Sequence, residues 1–221
     1  MIITSRSFGE YRAMFALGDG DLRGVVLDCG GGASSFAAGA AGAGARVVAA
    51  DPGYAHGPDV LAGLLRGDQE RARAMVRANA DRFVWDWYGT AERYGEVRSA
   101  AGVEFIADLR RRPGSYLAAA LPCLPFADGS VDLVLCSHLL FTWADRFDLA
   151  WHRAAILEMS RVCRGEVRIF PIVHRGAGER VMFLDRLRVD LEAAGLSSEI
   201  RRVPYEFQRG ADRLLAVGAH R

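Results

Sequence analysis

Three consecutive glycines near the start of the chain are its strongest chemical signal. Residues 23–29 form a short apolar run without alternation, which predicts a buried parallel strand, and Gly30, Gly31 and Gly32 follow it directly. Glycines in such a turn let the backbone approach a ligand closely and point the N-terminus of the next helix at that ligand. The triplet therefore predicts a nucleotide-type site but does not identify the nucleotide.

Two acidic residues beside this loop narrow the choice of nucleotide ligand. The dinucleotide fingerprint G-x-G-x-x-G has Ser35 in place of its third glycine here. Asp28, two residues before Gly30, would repel a pyrophosphate but can attract an ammonium group, directly or through water. Asp51 follows the second predicted strand (46–50), where its carboxylate can accept hydrogen bonds from both ribose hydroxyls. Together these residues favour S-adenosylmethionine (SAM) over NAD.

A third motif extends the pattern. Residues 124–135 read LPFADGSVDLVL, a turn that leads into another buried strand. With the LDCGGG of 27–32 and the acid at 51, in that order, most of residues 23–171 resembles the class I SAM-dependent methyltransferases. Further segments look like those of a bacterial subfamily of these proteins, namely 5–15, 83–89, 135–143 and 203–215.

The resemblance implies an α/β, Rossmann-like, doubly wound sheet of seven strands in the order 3-2-1-4-5-7-6, with the last strand antiparallel. We expect one domain over residues 1–221 and an N-terminal helix over about 7–17. The helical pattern at 58–66, 68–88 and 90–112 is far longer than an ordinary crossover. We therefore interpret residues 53–114 as a helical lid inserted between strands 2 and 3.

The resemblance also assigns cofactor contacts. Gly30, Gly31 and Gly32 would line the methionyl part of SAM, and Asp51 would hold the ribose. Tyr11 could reach the SAM carboxylate or cover the cofactor. The other implied contacts are Pro52 and Tyr54 beside the ribose or adenine, and the backbone of Cys136 and Ser137 under the methionyl arm.

One position departs from the family pattern. An acidic residue that contacts the adenine amino group commonly stands four positions before the LPF leucine, where this chain has Ala120. Backbone groups of Ala120 and Leu121 could still read the adenine edge. The change weakens the expectation of tight SAM binding but leaves the expected fold unaltered.

His138 is the first candidate for a catalytic base, because it directly follows the fourth strand, where acceptor and methyl group should meet. Alternatively, its ring positions the loop through a backbone contact. Tyr88 and Glu206 are the other catalytic candidates. The predicted substrate pocket adds Trp85, Asp86, His174 and Tyr205, although packing or sheet-capping roles also fit these positions.

Composition limits the partners. With 28 basic and 27 acidic residues, the chain has no general electrostatic attraction for nucleic acid or an anionic membrane. No apolar run is long enough to span a bilayer, and the N-terminus lacks the apolar core of a signal peptide. Four cysteines without CxxC spacing and five scattered histidines predict no metal site and fit a cytoplasmic protein.

Three functions remain open at this stage. The first is transfer of the SAM methyl group to a small molecule by SN2 displacement, which needs an aligned nucleophile. The second uses SAM differently, by aminocarboxypropyl transfer or by cyclisation of the methionyl chain. The third is a non-catalytic binding module on the same scaffold, for which Ala120 is the supporting feature.

Overall fold

The computed structural model describes residues 3–174 and 178–219, and the strands in these ranges form a seven-stranded sheet. The strands are β1 (Val25–Cys29), β2 (Arg46–Ala50), β3 (Tyr116–Leu117), β4 (Val131–Ser137), β5 (Cys163–Phe170), β6 (Leu196–Arg202) and β7 (Arg213–Ala219). Their order is β3-β2-β1-β4-β5-β7-β6, with β3, β2, β1, β4 and β5 parallel and β7 antiparallel to both of its neighbours. The predicted fold class is confirmed.

Helices cover both faces of the sheet. They are α1 (Phe8–Met14), α2 (Phe36–Gly42), α3 (Pro58–Ala78), α4 (Ala91–Arg111), α5 (Leu149–Val162) and α6 (Leu184–Ala193). Short 3₁₀ turns lie at Asp19–Leu22, Pro52–Ala55, Ala80–Arg82, Pro113–Ser115 and Phe141–Trp143.

The first helix begins with a capping box, in which the backbone N–H of Glu10 donates to the Ser7 hydroxyl and the N–H of Ser7 donates to the Glu10 carboxylate.

The core has two apolar layers, one on each side of the sheet. Val26 belongs to the layer that includes Phe36 and Phe105 of α2 and α4, whereas the next residue, Leu27, belongs to the layer that includes Ile156 and Leu187 of α5 and α6. Both faces of the central strands are therefore buried, which explains their continuous apolar runs.

Residues 83–88 are not helical, although the sequence pattern predicts a helix over 68–88. The chain leaves α3 at Ala78 and runs alongside residues 205–208, where the N–H of Val84 donates to the carbonyl of Phe207 at 2.8 Å. Phe83 stacks on Phe207, with ring centroids 4.5 Å apart. These aromatic contacts with a distant segment override the local helical pattern.

Candidate active site

The glycine loop, Asp51 and His138 lie at the same edge of the sheet. The N–H groups of Gly30 and Gly31 donate to the carbonyl of Ala50 at 2.8 and 3.3 Å, which joins the loop after β1 to the end of β2. His138 follows β4, and its N–H donates to the carbonyl of Phe170 at 2.7 Å. This edge holds the carboxyl ends of β1, β2 and β4 and includes the point where the strand order reverses, the usual ligand position in such sheets.

The glycine loop has a conformation and surroundings that require glycine. Gly30 and Gly32 have φ angles of 75° and 55°, which side chains disfavour. A Cβ on Gly30 would lie 2.9 Å from Leu139 Cδ2, and one on Gly31 would lie 2.8 Å from the Tyr54 hydroxyl. The glycines are thus required by contacts within the chain, and Leu139 lies against Gly30.

Asp51 has the chemistry expected of a ribose ligand. One carboxylate oxygen accepts the Gly53 N–H at 2.7 Å and the other accepts the Gly32 N–H at 3.1 Å. Each oxygen keeps a second lone pair for a further donor. Burial raises the pKa of Asp51, and the two N–H groups only partly oppose this effect. The paired hydroxyls of a diol would supply the two donors that the partly buried carboxylate can still accept.

Other predicted cofactor residues surround Asp51. Pro52 is exposed at the start of the adjoining 3₁₀ turn, and the Tyr54 hydroxyl donates to the carbonyl of Gly32 at 2.8 Å. The N–H of Asp51 donates to the carbonyl of Leu117 at the end of β3. Ala120 and Leu121 follow three and four residues later, and Ala120 is exposed.

Asp28 and Tyr11 form a buried contact beneath the glycine loop. The Tyr11 hydroxyl donates to the Asp28 carboxylate at 3.0 Å, and both residues are only 1% exposed. Burial raises the pKa of Asp28 to about 7, the charge of Asp51 adds to the rise, and the Tyr11 hydrogen bond opposes it. The cofactor contacts of these two residues, direct or through water for Asp28, stay predictions.

His138 lies at the end of β4 in an arrangement that favours a neutral ring. Cys136 is buried in the strand, and the Ser137 hydroxyl lies 2.9 Å from Nδ1 of His138. Burial, with the charges of Arg6 and Arg98, holds the pKa of His138 well below its usual value. A neutral imidazole can accept a proton, so the structure is compatible with a base at this position.

His138 lines a cavity of about 210 Å³. Phe170 and Tyr205 line it beside His138, while Arg6 comes from the N-terminal segment and Arg98 from α4. Aromatic and charged groups therefore meet in one cavity beside the end of β4. Of the pocket residues predicted from sequence, the structure places Tyr205 in this lining.

A buried polar network lies against the cavity. The Arg98 guanidinium contacts the Glu10 carboxylate at 3.0 Å and donates to the Tyr88 hydroxyl at 3.1 Å. The Tyr88 hydroxyl also donates to Glu10 and lies 3.0 Å from the Tyr205 hydroxyl. Burial strongly raises the pKa of Tyr88. Tyr88 is a buried member of this network and lies outside the cavity lining, so its catalytic role stays a prediction.

The remaining predicted pocket residues lie elsewhere. Asp86 and Glu206 border a separate depression, where Glu206 accepts the Gly210 N–H at 2.7 Å. Trp85 packs edge-on against Phe207 and donates its indole N–H to the carbonyl of Ala80. His174 lies 3.5 Å from Asp145. These four side chains lie outside the cavity lining that includes His138, so their grouping in one pocket stays a prediction.

Arg6, Glu10 and Arg98 are site residues that the sequence analysis misses. Glu10 has a sufficient local explanation as a capping residue, and Arg98 falls in a long helix where arginine is usually a solvated charge. Only the tertiary contact between α1 and α4 shows that the pair is buried.

Part of the chain is similar to a family of known proteins. A family model described as a methyltransferase domain matches residues 92–170. This part of the chain, which is less than half of its length, is similar to a methyltransferase domain. The match runs from α4 through β5, so it includes β4 and His138, while the glycine loop and Asp51 precede it. This methyltransferase family uses SAM, which confirms the predicted cofactor at the level of the family.

Relatives and solved structures extend the likeness beyond this match. The uncharacterized protein MJ0045 of the archaeon Methanocaldococcus jannaschii is 27% identical over 220 residues, which cover 98% of this chain and 95% of that protein. The 1,6-didemethyltoxoflavin-N1-methyltransferase of Burkholderia thailandensis shares the fold, with a TM-score of 0.50, 15% identity and coverage of 90% of this chain and 72% of that one. Magnesium protoporphyrin IX methyltransferase of Synechocystis has a TM-score of 0.48 and 16% identity, with coverage of 96% and 91%. The bacterial subfamily stays a prediction.

Metal-binding groups and membrane-spanning helices are two other features that a chain of this kind could carry. Across residues 3–174 and 178–219, no three or more His, Cys, Asp or Glu side chains are grouped so that they could hold a metal ion. None of the helices in these same ranges is both long enough and apolar enough to cross a membrane.

Proposed function

We propose that this chain transfers the methyl group of SAM to a small-molecule acceptor bound in the cavity lined by His138. The observation that carries the proposal is the contact of Asp51 with Gly32 at 3.1 Å, which couples an acid after β2 to the glycine loop after β1. This contact lies at the sheet edge where α/β folds bind ligands, and His138 follows the neighbouring strand β4.

Residues around this contact have the chemistry to hold SAM. Asp51 would accept both ribose hydroxyls through its remaining lone pairs, and backbone groups of Gly30–Gly32 would contact the methionyl part once Leu139 moves aside. Pro52 and Tyr54 would flank the ribose or adenine, with backbone groups of Ala120 and Leu121 at the adenine edge. Leu139 is only partly buried, so a rotation of its side chain is compatible with the loop after β4.

His138 would act on the acceptor. Bound SAM supplies a methyl group on a positively charged sulfur, which a nucleophile displaces in line. As the acceptor atom attacks, its proton would pass to the neutral His138 ring. The contact between the Ser137 hydroxyl and Nδ1 holds that ring in place. Turnover then depends on an aligned acceptor more than on a strong base.

The size and surroundings of the cavity support a small acceptor. A volume of about 210 Å³ suits a small metabolite and is far too small for a folded macromolecule. The nearly balanced charge of the chain also gives no general attraction to nucleic acid. We further propose that residues 53–114 act as a lid, because α3 and α4 contribute Gln69, Tyr94 and Arg98 to the cavity.

Product analysis tests this function. The full chain is incubated with SAM and a set of small hydroxy, amino and thiol acids, and products are identified by mass spectrometry. We expect S-adenosylhomocysteine together with an acceptor heavier by one methylene unit. Methylthioadenosine would instead indicate aminocarboxypropyl transfer or cyclisation. SAM binding without any acceptor-dependent product across the set would favour the non-catalytic module.

A further inference from the structure

We propose that the acceptor carries a carboxylate group and that the Arg6 guanidinium binds it in the cavity lined by His138. This inference rests on the proposed methyl transfer and adds the chemical class of the acceptor. It depends on the charges around the cavity, on the apolar walls, and on the position of Arg6 relative to His138.

Arg6 has no acidic partner in the part of the chain that the structure describes. Its Nη1 donates to the Thr4 hydroxyl at 2.8 Å, and its enclosed Nε has no hydrogen-bond partner. Among residues 3–174 and 178–219, no carboxylate lies within 4.0 Å of this guanidinium. Burial and the neighbouring Arg98 charge lower the pKa of Arg6, as expected of a cation without a counterion. An anion in the cavity would supply the missing partner.

The other cations of the cavity are already engaged. Arg98 is paired with the buried Glu10 carboxylate, so this pair adds no net charge. Arg73 is exposed at the rim and donates to the carbonyl of Gly95 at 3.1 Å. Asp68, a carboxylate of the same lining, is paired with the exposed Arg71 and accepts the Ile3 N–H. Arg6 is therefore the cation of this lining that has no counterion among the described residues, and one negative charge would balance it. A carboxylate provides that single charge and also matches the planar geometry of a guanidinium.

The remainder of the cavity suits an apolar body. Ile3, Tyr94, Phe170 and Phe207 line it. A small aromatic or branched acid could place its carboxylate at Arg6 and its apolar part against these side chains. His138 lines the same cavity, and the charge of Arg6 is near enough to lower the pKa of His138. Binding at Arg6 would thus orient the acceptor relative to the proposed base.

Benzoate and its neutral analogue benzamide are suitable probes. Binding of each is measured by saturation-transfer NMR and calorimetry, on the full chain saturated with S-adenosylhomocysteine. We expect benzoate to bind at least about tenfold tighter than benzamide, since a charge-assisted hydrogen bond is lost with the amide. Arg6→Gln should remove this preference and leave benzamide binding unchanged, and Arg6→Lys should retain part of it. Arg66→Gln, which changes an exposed arginine of α3, is the matched control and should behave as the wild type.

Several results would overturn the inference. They are the absence of benzoate binding at millimolar concentration, equal binding of the two probes, and a preference that survives Arg6→Gln. The methionyl carboxylate of the cofactor is an alternative partner for Arg6. In that case Arg6→Gln would weaken S-adenosylhomocysteine but not methylthioadenosine, which lacks the carboxylate. Failure of the proposed function itself is distinguishable, because the wild type would then either not bind S-adenosylhomocysteine or give no methylated product in the product analysis, whichever probe binds at Arg6.

Discussion

The Glu10 carboxylate contacts the Arg98 guanidinium at 3.0 Å in the interior, where Glu10 is fully enclosed and Arg98 is 8% exposed. The pair joins α1 to α4 and lies against the hydroxyls of Tyr88 and Tyr205. It connects the N-terminal helix, the helical segment between β2 and β3, and the segment before β7 beside one cavity. We therefore expect its loss to affect folding of the whole site.

Arg98→Met should lower the free energy of unfolding by about 3–5 kcal/mol, because it leaves the Glu10 charge buried without its partner. Urea denaturation measures this change. The double variant Glu10→Leu with Arg98→Met should lose less than Arg98→Met alone, since both charges are then removed. A single variant within about 0.5 kcal/mol of the wild type would contradict the buried pair.

The same pair should respond to acid. Burial alone would raise the pKa of Glu10, but Arg98, the Ser7 N–H and the Tyr88 hydroxyl outweigh it, so the pKa lies below its usual value of 4.5. The stability that the pair contributes is then complete above pH 4.5 and is lost as the pH falls through the lower pKa of the folded state. This loss should be missing from acid titrations of the double variant.

Asp28 should have the opposite pH dependence. Its pKa in the folded protein is about 7, against an ordinary value of 3.8. The folded state therefore holds a proton that the unfolded chain releases, and stability falls as the pH rises from about 3.8 to about 7. Asp28→Asn should flatten this part of the curve of melting temperature against pH. The exposed Asp59→Asn is the control, and parallel curves for Asp28→Asn and wild type would contradict the shift.

Asp51→Ala should weaken SAM binding by at least about tenfold, because it removes charge-assisted hydrogen bonds worth roughly 1.5–3 kcal/mol. Calorimetry measures the affinity, and the exposed Asp59→Ala on α3 again serves as control. The melting temperature must be followed as well, since Asp51 also accepts two backbone N–H groups. Unchanged affinity would show that the ribose is held elsewhere.

His138→Ala should reduce turnover by about 100-fold or more if the ring accepts the acceptor proton, with little effect on SAM affinity. Because the pKa of His138 is well below 6.5, the wild-type rate should not fall between about pH 8 and pH 6.5 from protonation of this ring. Steady-state rates with an acceptor found by product analysis provide the test. The exposed His56→Ala should act as the wild type, and full turnover in His138→Ala would assign His138 a positioning role.

The sheet could be predicted because its strands carry an unambiguous pattern. Leu133–Cys136 of β4 is a continuous apolar run, and such runs arise where both faces of a parallel strand are buried. The position of Asp51 and His138 at one sheet edge then follows from the parallel direction of the strands. The order of the seven strands, by contrast, is implied by the resemblance to the class I SAM-dependent methyltransferases and not by this pattern.

The cavity could not be predicted in the same way. Phe83 and Trp87 fit helical spacing, yet Phe83 lies in a β-bridge and Trp87 in a turn. Their ring contacts with Phe207 and Tyr205 join segments that are far apart along the chain. Arg6 and Arg98 look like ordinary surface charges along the chain. Their burial depends on contacts between α1, α4 and the segment before β7, which local sequence does not encode.

Calorimetric titration of the full chain with SAM, together with the melting temperature in its presence, tests the central claim most directly. We predict saturable binding with one site and a raised melting temperature, since a ligand that binds only the folded state stabilises it. Asp51→Ala should diminish both effects. The absence of heat and of any thermal shift at millimolar SAM would contradict the claim that this chain is a SAM-dependent enzyme.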